Sequence, residues 1–248
     1  IPFLTPLYVK EKKVAMIFQL AREVWFYETF FPLSLIGFIA EYIYLRIYSN
    51  TPVMTISDST RQDLLNSGFS KEIAILPVGI SFEPLEQLSG KEANPTLIFL
   101  GRIRKSKRIH HIIESLHLVA DKIPNIRLRI VGSGGRPNYK KRLDNLIRKY
   151  RLQDNVLFYG HVDEQTKLNL VKQSHAIIVT SVREGWGLVV SEANALSTIA
   201  IGYSVPGLRD SIINGQTGLL AIKNNPFSLA QAILKILNDS ELYDKLRR

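Results

Sequence analysis

Two carboxylates, Glu184 and Glu192, stand with seven residues between them inside the stretch Thr180-Ser-Val-Arg-Glu-Gly-Trp-Gly-Leu-Val-Val-Ser-Glu-Ala-Asn-Ala195. The apolar run Ala176 to Val179 reads as a buried parallel strand, Gly185 and Gly187 open a tight loop, and Leu188 to Leu196 is helix-forming. That order puts unpaired N–H groups and the positive end of a helix in the crevice beyond the strand's carboxyl edge, where α/β sheets take anionic ligands. Acids near a helix start are also common because they complement its dipole. A phosphate cradle alone, however, has no use for two of them. A ligand with hydroxyls beside its phosphates does, since ionised carboxylates accept hydrogen bonds from vicinal OH groups. A nucleotide sugar is such a ligand.

A second cluster is basic. Gly101-Arg-Ile-Arg-Lys-Ser-Lys-Arg108 follows the strand-like Thr96–Leu100 and precedes a helix. Gly101 lets the backbone turn close to a ligand, and Arg102 and Lys107 flank the loop as a diphosphate clamp requires. Elsewhere such a loop is only a solvated surface. Val131-Gly-Ser-Gly-Gly135 follows the next strand; alone, a short glycine run is more often a turn than a nucleotide loop. His161, in Phe158-Tyr-Gly-His-Val162, has the type of a general base, but a lone loop histidine is commonly a surface or capping residue, and we read it as structural.

These segments together resemble the donor site of retaining glycosyltransferase family 4, whose GT-B fold pairs two Rossmann-like domains. The family's signature is Glu, seven residues, Glu, with a Gly-aromatic-Gly insert. The resemblance implies that Glu184 contacts the donor's sugar hydroxyls and Glu192 the ribose, and that Gly101, Arg102 and Lys107 meet the diphosphate. It further implies that Gly132 and Ser133 line the cleft through their backbones, that Val162 lies nearest the base, and that Gly185, Trp186 and Gly187 approach sugar and phosphates, with Leu188 starting the helix. Trp186 stands where the family usually has Phe, and packing is its simpler role. Three departures stand out. Arg108 replaces a common Gly, Ala195-Leu-Ser-Thr-Ile-Ala200 stands for Ala-x-Gly-x-Pro-Val, and Pro206-Gly-Leu-Arg-Asp210 stands for Gly-Gly-x-x-Glu. The last two fall on the sugar pocket.

There is no Asp-x-Asp, His-Glu-x-x-His or Walker loop. No metal or other cofactor is therefore expected; charge on the leaving diphosphate falls to Arg102, Lys107 and helix N-termini. The family's chemistry implies transfer of a hexose from a nucleoside-diphosphate sugar to a sugar, lipid-linked or other hydroxyl acceptor, with the anomeric configuration retained through an oxocarbenium-like state. No residue is an evident covalent nucleophile, so Glu184 is read as a sugar-positioning acid. A sugar-nucleotide epimerase or a phosphorylase on the same fold is the alternative, though a pyridoxal-phosphate lysine is not identifiable. A basic nucleic-acid-binding module is a weaker one, lacking interleaved surface aromatics.

With 248 residues, 46% of them apolar, the chain can bury a substantial core in one large or two modest domains. It has no cysteine, which excludes disulfides, thiolate nucleophiles and Cys-based metal sites and allows a cytoplasmic location. The formal charge of +10 is uneven: residues 1–90 hold 7 Lys/Arg against 9 Asp/Glu, residues 91–248 hold 25 against 13. Such a field attracts nucleotide phosphates, nucleic acid or an anionic membrane face alike, so peripheral contact with the inner membrane surface stays open. The uncharged stretch Thr29–Ala40 is twelve residues long, short of the roughly 20 a spanning helix needs, and is expected to be a core helix.

Along the chain, the expected elements are strands at Val14–Leu20, Pro52–Ser57 and Glu72–Leu76 and helices at Pro32–Tyr48 and Ser59–Asn66, the latter capped by Asp58 and stopped by Gly68. Ile56-Ser-Asp-Ser-Thr and Pro77-Val-Gly-Ile80 are similar to the end of the family's N-terminal domain. From Thr96 strands and helices alternate up to Phe227–Leu237, with a further helix at Asp239–Arg248, the pattern of a doubly wound parallel sheet. The expected architecture is thus α/β of GT-B type: a partial acceptor-side Rossmann-like domain with its linker at 1–90, and a complete nucleotide-sugar-binding Rossmann-like domain at 91–248. A whole Rossmann domain needs more βα units than 90 residues supply. The chain is accordingly read as a fragment that binds nucleoside diphosphates and transfers sugar poorly or not at all.

Overall fold

The computed structural model describes residues 4–88 and 90–247. Two compact units emerge. The first holds the residues up to Gly79 together with Val182–Gly187 and Val205–Asp210; the second holds Ile80–Ser181, Leu188–Ser204 and the chain from Ser211 on. Where the sequence reading divides the chain near residue 90, the division along the chain falls at Gly79. The segment after it is tied into the second unit by Leu85 N–H donating to Ala195 O (2.9 Å), Glu92 N–H to Gln173 O (3.0 Å), and an ion pair of Glu92 with the buried Arg129.

In the first unit, short strands β1 (Ala15–Met16), β2 (Val53–Thr55) and β3 (Ile73–Ile75) form a parallel sheet in that order. Helices α1 (Val24–Glu28), α2 (Leu33–Tyr48) and α3 (Asp58–Asn66) accompany them. Leu20, Leu45, Val53, Leu64 and Phe69 make the core. The α3 cap is Ser57, not the expected Asp58: its hydroxyl accepts from Thr60 N–H at 3.2 Å, leaving Asp58 in the first turn where its charge suits the dipole. The core-helix expectation for Thr29–Ala40 holds for helicity only from Leu33 on, and not for burial. Leu33, Leu35, Ile36, Ile39 and Ile43 are exposed while Ser34, Glu41 and Leu45 are buried. Glu41 faces inward because its carboxylate accepts the N–H groups of Ala21 (2.6 Å) and Arg22 (2.7 Å), two donors the turn before α1 would otherwise bury unpaired. Among the described residues no helix is long and apolar enough to cross a membrane.

The second unit is built on six parallel strands, β4 (Thr96–Leu100), β5 (Arg127–Val131), β6 (Val156–Gly160), β7 (Ala176–Val179), β8 (Ile199–Tyr203) and β9 (Gly218–Ala221). Their order is β6-β5-β4-β7-β8-β9, the doubly wound arrangement with its switch between β4 and β7. β4, β7 and β8 are buried along their whole length, as near-continuous Ile/Leu/Val runs predict for strands covered on both faces. Helices α4 (Ile109–Ala120), α5 (Pro137–Lys149), α6 (Glu164–Gln173), α7 (Leu188–Ala195), the short α8 (Leu208–Ser211), α9 (Pro226–Asn238) and α10 (Ser240–Arg247) complete the chain, and α4 packs between α5 and α9.

Candidate functional site

The switch point of the second unit is physically open. β4 pairs with β5 from Thr96↔Arg127 through Leu100↔Val131, but with β7 only at Leu97↔Ala176 and Ile98↔Ile177. The two central strands therefore part before β4 ends. Doubly wound sheets bind ligands in the crevice outside such a gap.

Gly101 and Arg102 follow β4 at that edge, Arg102 exposed. The chain then makes a 3-10 turn over Lys105–Lys107, with Lys107 half-buried, and enters α4 through Arg108. Arg108, standing where the resembling family commonly has Gly, takes φ 49°, ψ 40°, the left-handed conformation that glycine adopts most readily. Ser197 does the same at φ 54°, again at a family glycine position. Thr180, fully buried just past β7, donates its hydroxyl to Lys107 O (2.8 Å) and also approaches Arg108 O (3.2 Å). That side chain ties the end of β7 to the basic loop and fixes where the loop turns.

The glycine loops after β4, β5 and β6 are laced through their main chains. Gly101 N–H donates to Val131 O (3.0 Å), Ile103 N–H to Ser133 O (3.3 Å) and Gly132 N–H to Gly160 O (2.7 Å). A Cβ on Gly132 would lie 2.1 Å from Gly101 O. Gly132 is thus required by a close backbone approach, which the sequence alone left ambiguous. Ser133 is exposed beside it, Val162 is half-buried past β6, and His161 is exposed.

Leu188 opens α7 and is exposed. Glu192, one turn on, is paired with Lys167 of α6 at 3.2 Å (Nζ to Oε2), and Lys167 also meets Glu164 at 2.8 Å. Burial would lower the Lys167 pKa, but the hydrogen bonds and charges of the two carboxylates outweigh it and hold the ammonium above its ordinary value. Neither Thr180 nor Lys167 was singled out by spacing; both act through tertiary partners.

Within the first unit lies the loop with Glu184, Gly185, Trp186 and Gly187. Arg183, its side chain 8% exposed, anchors it by ion pairs to Glu23 (Nε to Oε2, 3.1 Å) and to Asp63. Glu184 N–H donates to Pro206 O (3.1 Å), and a Cβ on Gly185 would fall 2.6 Å from Phe18 O. Gly187 has φ 84° and Trp186 is half-buried. Asp210, where the family has Glu, accepts from Gly207 N–H (3.0 Å) and Ser59 N–H (3.1 Å). Among the described residues no group of three or more His, Asp or Glu is disposed to hold a metal.

A sequence-family description, glycosyl transferases group 1, matches residues 83–248. The capsular polysaccharide biosynthesis glycosyltransferase CapM of Staphylococcus aureus is 28% identical over 82% of this chain and 56% of its own length. Glycogen synthase of Mycobacterium tuberculosis is 32% identical over 58% of this chain and 34% of its own length. The chain therefore spans about half or less of these relatives. Sucrose-phosphate synthase from Thermosynechococcus elongatus superimposes with a TM-score of 0.78 at 25% identity, covering 98% of this chain and 62% of that one. The Anabaena protein Alr3699/HepE, solved with UDP-glucose, gives 0.76 at 16% identity over 94% of this chain and 65% of its own, a likeness of fold.

Proposed function

We propose that this chain, which belongs to the group 1 glycosyltransferases, serves a retaining, metal-independent transferase of the family 4 type that moves a hexose from a nucleoside-diphosphate sugar to a hydroxyl acceptor. In this reading Arg102, Lys107 and those main-chain N–H groups after β4 and β5 that are not engaged in the lacing between the glycine loops take the diphosphate. Glu192 accepts from the ribose hydroxyls, and Glu184 from those of the sugar. As the bond from the anomeric carbon to the diphosphate oxygen breaks, negative charge grows on the leaving group, and cations already in place there lower the barrier without reorganising. The acceptor oxygen then joins the anomeric carbon on the face the diphosphate leaves, its proton passing to the departing diphosphate oxygen.

The observation that carries the reading lies in the second unit: a parted β4/β7 switch point edged by glycine loops and basic side chains, with a carboxylate on the helix that follows β7. An epimerase would share that donor site but turn over the nucleotide sugar with no acceptor.

Calorimetric titration with UDP, GDP and ADP tests the donor site. One nucleotide should bind, equally well in EDTA, and Glu192→Ala should weaken it at least about tenfold, the worth of one charge-assisted hydrogen bond. Absence of binding by all three, or equal binding by the variant, refutes the reading.

A further inference from the structure

We infer that Lys167 is a positioning residue of the donor site, its ammonium holding the Glu192 carboxylate in the orientation that receives the ribose hydroxyls. The inference rests on the role proposed for Glu192 and adds a residue that neither motif spacing nor family resemblance assigns.

Lys167 reaches Glu192 across 25 residues of chain, from α6 to α7. It bonds Oε2 alone; among the described residues Oε1 of Glu192 has no hydrogen-bond partner. One carboxylate oxygen is thus fixed and the other left to accept. The pair is sheltered, with side chains 21% and 20% exposed, whereas Glu164, the other partner of Lys167, is 61% exposed. A surface helix pair would need only Glu164. The second, cross-helix contact instead restrains an acid whose rotamers would otherwise have to be frozen by the ligand itself, and such restraint lowers the entropic cost of binding.

The support under Lys167 is itself rigid. α6 starts with Asp163, whose carboxylate accepts from Thr166 N–H (2.8 Å) and Thr166 Oγ1 (2.7 Å), so the turn carrying Lys167 is held at its N-terminus. Without Lys167 the Glu192 carboxylate would lose its counter-ion and turn toward water.

The test compares UDP with 2′,3′-dideoxy-UDP by calorimetry on the whole chain, or the GDP or ADP pair if the parent selects that base. The parent should prefer the hydroxylated nucleotide. Lys167→Met should compress that preference about tenfold, the worth of one hydrogen bond to a charged group, with little change for the dideoxy ligand. Lys167→Arg, which keeps charge and donors, should restore most of it. A parent that binds both nucleotides equally overturns the ribose role of Glu192 and this inference with it. A discriminating parent whose Lys167→Met variant discriminates as well leaves that role standing and overturns the part given to Lys167. Equal loss of both ligands also overturns it, since Lys167 would then act on the diphosphate.

Discussion

Gly132→Ala is the sharpest probe of the loop architecture. The added Cβ would stand 2.1 Å from Gly101 O and 2.8 Å from Gly101 C, backbone atoms that no rotamer change can move aside. Gly132 also sits at φ 131°, open to glycine and strained for alanine. Holding that φ costs about 1–3 kcal/mol, and displacing the Gly101 backbone about 1–3 more. A loss near 4 kcal/mol lowers Tm by about 10 °C for a chain of this size. Gly134→Ala is the control: φ is 84° but nothing lies within 4 Å of its Cβ, so only the conformational part, about 1–2 kcal/mol, should appear. Moving Gly101 also moves Arg102, so Gly132→Ala should lose nucleoside-diphosphate affinity and Gly134→Ala should keep it. Scanning calorimetry and titration on both variants decide the matter. Equal stability and equal affinity in the two would refute the close-approach argument.

Thr180→Val keeps shape but removes the donor that serves the Lys107 and Arg108 carbonyls; a loss of about 1–2 kcal/mol and weaker diphosphate binding are expected, with Thr180→Ser recovering both, and a valine variant equal to the parent would count against the staple. Acid stability should report three histidines: burial first, then nearby cations, push His110 down to about 3 and His111 and His175 to about 4. They are neutral in the fold and take up protons on unfolding below about 6.5, so stability is complete above that pH and falls as acid carries the solution toward 4. Tm measured at pH 7.5, 6.5, 5.5 and 5.0 should decline through that window, more shallowly in His175→Asn; a flat profile to pH 5 would show that these rings stay accessible.

Much of the second unit was legible because its information is local. Thr96–Leu100 and Ala176–Val179 appear with the predicted limits, and the helix expected at Leu188–Leu196 ends one residue earlier, since apolar runs and turn residues bound them within a few positions. Three kinds of feature were not legible. The α3 cap went to Ser57 over Asp58, a choice between adjacent good capping residues that only the φ/ψ of the entering chain makes. Glu41 turned inward on α2 while Leu33, Ile36, Ile39 and Ile43 turned out, because two N–H groups in a turn some 20 residues away required an acceptor. Arg183, Thr180 and Lys167 are ordinary residues until their partners at 63, 107 and 192 are known. Periodicity records which face of an element is apolar, not which distant polar group it will meet.

The anchoring of the Glu184 loop bears on how the molecule could be dissected. Severing the polypeptide at the Gly79–Ile80 step would follow the apparent seam, yet the excised piece would carry the 182–187 and 205–210 excursions away from Glu23, Asp63, Phe18 and Ser59, to which they are fastened. Glu184, proposed for the sugar, would then hang on an untethered span, whereas Arg102 and Lys107, proposed for the diphosphate, would keep their scaffold. Gripping a nucleotide and orienting its hexose are, on this view, separable properties with separate scaffolds.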